Sequence, residues 1–307
     1  MSRIAWITLS ATAVALAAVA AAAALFAGGG GSGPTTTVTD TTPSSSTQSF
    51  SLPLAEEPST LALAKHDGNL LVGIAAKPGG PIEVAAVRAE TPVSTDKLQV
   101  KLDGATTEAR SCGNGCSRID APVLDGAPRQ LTVRAGSLSV AFGLPARLPP
   151  SGEKLFARAL RTMDRLQAYR FIETLTSGRD GVVTEYEVQA PNRLSLRALG
   201  TGRYRSVIIG RKRWDFHDGR WERGPFPGLN VADVLIWRRA THARVVGHDP
   251  KGVTDLAAFG LEPVPAWFQL TVEPSGRVVE ADMIAPSHFM AHRYQDFNAD
   301  IEIKAPK

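Results

Sequence analysis

From Tyr169 to the carboxyl end the chain repeats one pattern: a run of strand-forming residues, then a short turn rich in Gly, Asn or Asp. The runs are YRFIETLTS, GVVTEYEVQ, RLSLRAL, YRSVIIG, KRWDFH and RWERG, and then HARVVGH, AWFQLTVE, RVVEADMIA and HFMAHRYQDFNADIEI. The turns between them include Ser177-Gly178-Arg179-Asp180-Gly181, Gly200-Thr201-Gly202 and His217-Asp218-Gly219. This spacing predicts one long antiparallel meander. A sheet of that length curls, and its apolar face must be covered. Two segments supply the cover. Ser151 as N-cap and Glu153 in the first turn open a helix that puts Phe156, Ala159, Leu160, Met163 and Leu166 on one side. Asn230 to Arg239 (NVADVLIWRR) forms a second, short one. The expectation is a curved half-barrel over 151–307 with a helical lid and an apolar space beneath it.

Leu148-Pro149-Pro150-Ser151-Gly152 marks its upstream boundary, because adjacent prolines continue neither a helix nor a central strand. Residues 59–148 read as about seven short strands (LALAKH, NLLVGIAAK, IEVAAVRAE, KLQVKL, ATTEARSC, QLTVRA, LSVAFGL) with turns at His66-Asp67-Gly68-Asn69 and Pro78-Gly79-Gly80-Pro81. That number of strands in about 90 residues predicts an immunoglobulin-like β-sandwich. The fold class is therefore mainly β, a sandwich followed by a curved antiparallel half-barrel.

Ile4 to Ala27 contain no charged side chain and are long enough to span a bilayer as a helix. Residues 1–28 are read as a signal anchor, with cleavage after the small Ala27 as the alternative. Arg3 precedes the segment and no Lys or Arg follows until Lys65, so the N-terminus is expected in the cytoplasm and the remainder outside, anchored or secreted. Residues 29–58 are dominated by Gly, Ser, Thr and Pro and read as a disordered tether. Gly28, Gly30 and Gly33 match a dinucleotide fingerprint, but they lack the strand and helix that give it meaning.

A net charge of +4 from 34 basic and 30 acidic residues provides no dense stripe for phosphates, and no nucleic-acid partner is expected. Two cysteines exclude a four-thiolate zinc site. No nucleophile elbow, HExxH, CxxC or phosphate-loop motif is present, so a catalytic role is not expected.

The chemistry-bearing residues admit more than one reading. Cys112 and Cys116 flank Gly113-Asn114-Gly115 and suit a structural disulfide outside the cytoplasm, or a soft-metal pair when reduced. His288, Met290, His292 and Tyr294 alternate and would share one strand face; with Met283 they suit copper or ordinary packing. Trp214, Trp221, Trp237 and Trp267 read as core or, with Leu160 and Met163, as the lining of a ligand cup. Arg203, Arg205, Arg211, Lys212 and Arg213 form a basic cluster that would meet an anionic surface or simply border a strand edge.

TSGRDGVVTEYEVQAPNRLSLRA, VIIGRKRWDFHDGRWER and PAWFQLTVEPSGRVVEADMIAPSHFMAHRYQDFNADIEIKAP resemble the LolA/LppX-type lipoprotein-carrier fold over about half the chain. That resemblance implies a β-cup outside the cytoplasm that accepts lipid or acyl groups. GNLLVGIAAKPGGPIEVAAV, CGNGC and the closing VAFGLP resemble immunoglobulin-like modules of actinobacterial copper-resistance membrane proteins, without the multi-spanning segment of that family. The expected function is a membrane-tethered, non-catalytic carrier of a hydrophobic ligand. The alternatives are a copper-handling protein and an envelope interaction or sensing module.

Overall fold

The computed structural model describes residues 52–177, 181–200, 204–260, 265–286 and 288–307. The apolar segment Ile4–Ala27, the tether up to residue 51 and Arg203 lie outside the described residues. Among the described residues no helix is long and apolar enough to cross a membrane.

Two sheets form the first unit. One runs β1 (Leu61–Asp67), β2 (Leu70–Ala76), β3 (Ile82–Arg88), β8 (Cys116–Ile119), β7 (Arg110–Gly113), with β4 (Thr91–Pro92) added on β3. The other runs β10 (Leu138–Leu144), β9 (Arg129–Ala135), β5 (Leu98–Leu102), β6 (Ala105–Thr107). Val72, Ile74 and Val84 of the first share a buried core with Leu131, Val133 and Phe142 of the second. The sandwich is present, but its connectivity is not that of an immunoglobulin domain, in which the third strand changes sheet. Here β1, β2 and β3 stay together, because Gly68 in the left-handed region and the turn at 77–81 close two tight hairpins. The expected single strand ATTEARSC is two strands, and Glu108-Ala109 between them carries the chain from one sheet to the other.

The second unit is one antiparallel sheet of eleven strands. It comprises β11 (Ala168–Thr176), β12 (Gly181–Gln189), β13 (Arg193–Leu199), β14 (Arg205–Ile209), β15 (Lys212–His217), β16 (Arg220–Pro225), β17 (Thr241–His248), β18 (Thr254–Gly260), β19 (Ala266–Val272), β20 (Val278–Ala285) and β21 (His288–Gln295). The order is β16-β15-β14-β13-β12-β11-β21-β20-β19-β18-β17. It is two meanders, not one, joined where the first strand pairs with the last: Phe171 opposes Tyr294 and Glu173 opposes His292.

This order makes the sheet curl. β16 and β17 are its two outer edges, consecutive in sequence and about 48 Å apart if eleven strands lay flat. The link between them, residues 226–240, would reach that far only if fully extended. It is instead folded by a 3₁₀ helix at Val231–Val234 and by further turns, with Arg238 N–H donating to Leu235 O and Ala240 N–H to Trp237 O. The edges must therefore approach each other. The link is the expected lid, though its helix is a single 3₁₀ turn capped by the Asn230 side chain, which accepts from Ala232 N–H.

Helix α1 (Glu153–Asp164) is the other cover, and buries Phe156, Ala159 and Met163. Its N-cap is Gly152, one residue after the expected Ser151. A Cβ on Gly152 would fall 2.7 Å from Leu256 Cδ2, so the start of the helix is seated directly on the sheet.

The two units share a third apolar cluster. Leu71, Ala75, Ala85 and Val87 on the outer face of β2 and β3 meet Phe259, Trp267 and Phe289 on the convex face of the half-barrel. The molecule is thus three β layers deep, and β2 is buried along its whole length. Leu52, Leu54 and Ala55 join this cluster. Their burial corrects the downstream limit of the tether, since residues 52–58 belong to the folded body. Arg244 of β17 fixes the junction by donating to Pro58 O and Pro149 O.

Candidate functional site

Strand parity sorts the half-barrel residues between two faces. Tyr169, Phe171, Tyr186, Val188, Leu194, Leu196, Ile208, Phe268, Leu270 and Tyr294 point to the concave side and form a continuous apolar core with α1, Leu235 and Trp237. The middle of the expected hollow is filled by these side chains. Phe156 of α1 packs edge-on against Trp237, with ring centroids 5.6 Å apart.

A polar chain crosses this core. Glu173 and His292 are 4% and 1% exposed, and His292 Nε2 lies 2.9 Å from Glu173 Oε2. In the tautomer with the proton on Nε2, that nitrogen donates to the Glu173 carboxylate and Nδ1 is left as an acceptor. Nδ1 is 3.1 Å from the Tyr294 hydroxyl, which then donates to it. The Tyr294 oxygen in turn accepts from Trp237 Nε1–H at 3.3 Å. At the other end Tyr186 donates to Glu173 Oε1 at 3.1 Å. Phe171 stacks on Tyr186 with centroids 4.4 Å apart and lies 4.7 Å from the imidazole. Burial, reinforced by the Glu173 carboxylate, holds the Tyr186 phenol well above its ordinary pKa; burial, then Tyr169, does the same for Tyr294. The five groups use these hydrogen bonds on one another. A second cluster stands toward β15: Tyr204 donates to Asp215 at 2.9 Å, and Arg213 donates to both.

Cover over the concave face is unequal. At the end where β11 begins, α1, Leu235 and Trp237 bury everything beneath them. At the opposite end, where β12 begins and β13 ends, the concave-facing Val182, Ala198, Met283 and Met290 are only half-buried, as is His288. The cross-strand pair Met283–Met290 forms the rim there.

Several expected site residues lie elsewhere. Trp214 and Trp221 are on the convex face, packed with Ile301 and Ile303 of the C-terminal segment. Trp267 is also convex, wedged between the two units. These three cannot line a concave cup. They sit next to inward-facing neighbours on their strands, and both faces of the sheet are apolar, so size alone did not reveal their side. Trp237, Leu160 and Met163 do lie on the concave side.

Of the copper candidates, Met283 and Met290 are cross-strand partners. His288, Met290 and His292 share a face as expected, but successive members stand about 7 Å apart along the strand. Both ring nitrogens of His292 are already engaged. Cys112 and Cys116 form a disulfide with a Cα separation of 5.1 Å. The nearby Glu83 carboxylate accepts from Leu54 N–H. Bonded to each other, the sulfurs are not thiolate ligands. The basic cluster also divides: Arg205 and Lys212 face outward, whereas Arg213 turns inward onto Asp215.

Glu173 and Tyr186 were not anticipated from the sequence. The signal was available: Phe171, Glu173 and Leu175 share a face of β11, which places a carboxylate on an apolar stripe.

No family model and no curated protein matches the chain. Solved structures do resemble it over about half its length. LprF from Mycobacterium bovis is 11% identical, with 52% of this chain and 99% of that one covered and a TM-score of 0.36. The Mycobacterium tuberculosis lipoprotein LppX is 13% identical, with 50% and 100% covered and a TM-score of 0.38. A LolA superfamily protein from Nitrosomonas europaea is 9% identical, with 50% and 95% covered and a TM-score of 0.26. The resemblance to copper-resistance modules gains no support from these comparisons.

Proposed function

We propose that this chain is an extracytoplasmic, membrane-tethered binding protein that receives an apolar group, a lipid or acyl chain, on the concave face of its half-barrel and performs no catalysis. The observation that supports this most directly is the unequal cover. One end of the apolar concave face is covered by α1 and Trp237, and the other ends in the half-buried Val182, Ala198, Met283 and Met290. Each methylene that leaves water there contributes about 0.8 kcal/mol. Methionine suits such a rim, since its unbranched thioether adapts to chains of different shape. The uncharged Ile4–Ala27 segment and the charge asymmetry around it support the location.

The test uses the full chain, because a half-barrel cut free would expose Phe259, Trp267 and Phe289. Native mass spectrometry should find co-purified lipid, and a fluorescent fatty acid should bind. Ala198→Trp, which narrows the rim, should abolish uptake while leaving the fold intact. A chain that carries no lipid and takes up no fatty acid removes this reading.

A further inference from the structure

We infer that the outer face of the terminal hairpin β15–β16, together with β14, is a docking surface for an anionic phospholipid bilayer. Cross-strand pairing arranges nine side chains there as a grid. Ile209, Val207 and Arg205 of β14 oppose Lys212, Trp214 and Phe216 of β15. These in turn oppose Pro225, Arg223 and Trp221 of β16. Six positions are apolar and three are cations; none is a carboxylate or an uncharged polar group. An outward face near a sheet edge ordinarily carries mixed polar residues. The other face of the same hairpin does, with Arg213 paired to Asp215 and Arg220 to Glu222.

The cations outside are not paired in this way. Among the described residues, no ion pair joins Arg205, Lys212 or Arg223 to a carboxylate. Arg205 instead lies 5.7 Å over the Phe216 ring and Arg223 5.9 Å over Trp214. The C-terminal Ile301 and Ile303 cover Val207 but leave Trp214, Phe216 and Trp221 half-exposed and all three cations exposed. Tryptophan and phenylalanine beside unpaired cations match the chemistry of the bilayer interface, with rings at the headgroup level and guanidinium or ammonium groups on phosphates. The positive face complements an anionic surface, and the uncharged Ile4–Ala27 segment is expected to keep the body close to one. The hairpin turn at Asp218-Gly219 lies at the same end as the Met283–Met290 rim, so docking would bring the less covered end of the concave face to the lipid.

Residue-resolved hydroxyl-radical footprinting of the full chain tests this in vesicles of phosphatidylcholine with and without phosphatidylglycerol. Oxidation of Trp214, Phe216 and Trp221 should fall only in the anionic vesicles and recover in high salt. Each surface cation contributes about fivefold to such binding, so R205Q/K212Q/R223Q should lower the binding constant for anionic vesicles roughly a hundredfold. Circular dichroism of that variant verifies its fold. Equal oxidation in both vesicles overturns the inference, as does equal protection in both, which would mean insertion without charge recognition. Protection by soluble polyphosphate but not by anionic vesicles would assign the face to a soluble polyanion and also overturn it. Footprinting reports docking whether or not a ligand is bound, so failure here is distinguishable from failure of the carrier reading.

Discussion

Trp267 occupies the space that any side chain on Gly73 would need: a Cβ built there falls 2.1 Å from the indole ring. The missing side chain on β2 and the large one on β19 form a lock between the sandwich and the half-barrel. Gly73→Ala should destabilise the chain by about 1–3 kcal/mol through overpacking. Urea unfolding of Gly73→Ala, Trp267→Ala and the double variant should show that the second change offsets part of the first. Simple additivity would mean that the contact is not the source of the loss.

Breaking the buried polar chain should cost more than its size suggests. His292→Leu leaves the Glu173 carboxylate in an apolar core with only the Tyr186 hydroxyl as partner, with an expected loss of about 3–5 kcal/mol. Replacing both residues, Glu173→Leu with His292→Leu, should recover a large part of it, because no uncompensated charge remains. Chemical denaturation of the single and double variants decides this.

The tyrosines set the behaviour at high pH. Tyr186 and Tyr294 have phenol pKa values raised well above normal in the folded state, so the native protein favours the neutral form. Their stabilisation is complete below the unfolded value of about 10 and declines as pH rises above it. Stability should fall by about 1.4 kcal/mol per pH unit for each buried phenol in that range. Tyr186→Phe should lower stability at neutral pH, through the lost bond to Glu173, and flatten the alkaline slope. Melting temperatures measured above pH 10 would contradict the account if the slope were unchanged in the variant.

The Cys112–Cys116 disulfide should contribute modestly. It closes a very short loop, for which chain entropy gives about 2 kcal/mol. Thiol titration of the unfolded, unreduced protein should find no free thiol, and Cys112→Ser/Cys116→Ser should remain folded with a lower midpoint. Complete unfolding of that variant would show that the bridge carries more of the sandwich than its loop length implies.

Much of this architecture was legible in the sequence because period-two alternation is local. β11 to β16 each follow from their own residues and the turns that bound them. What was not legible is relational. Nothing in HFMAHRYQ states that it pairs with YRFIETLT rather than ending at an edge. β18 (TDLAAFG) carries little strand signal, because its alanines give little alternation. Which face the tryptophans at 214, 221 and 267 occupy is not legible either, because the convex side is apolar too: the sandwich covers it at one end and the C-terminal segment at the other. Glu173, Tyr186 and His292 each look ordinary within their strands. They become a chain only when β11, β12 and β21 are side by side.

The seam between β11 and β21 bears on how the molecule can be made. The strand that completes the middle of the wall is the last one translated, so neither half of the sheet has its neighbour while synthesis is under way. A chain interrupted just before His288 would leave two unjoined ribbons, β11–β16 and β17–β20, with bare edges prone to pair with other chains. Assembly of the half-barrel should accordingly be all-or-none, with copies that lack the closing strand left to proteases or aggregates.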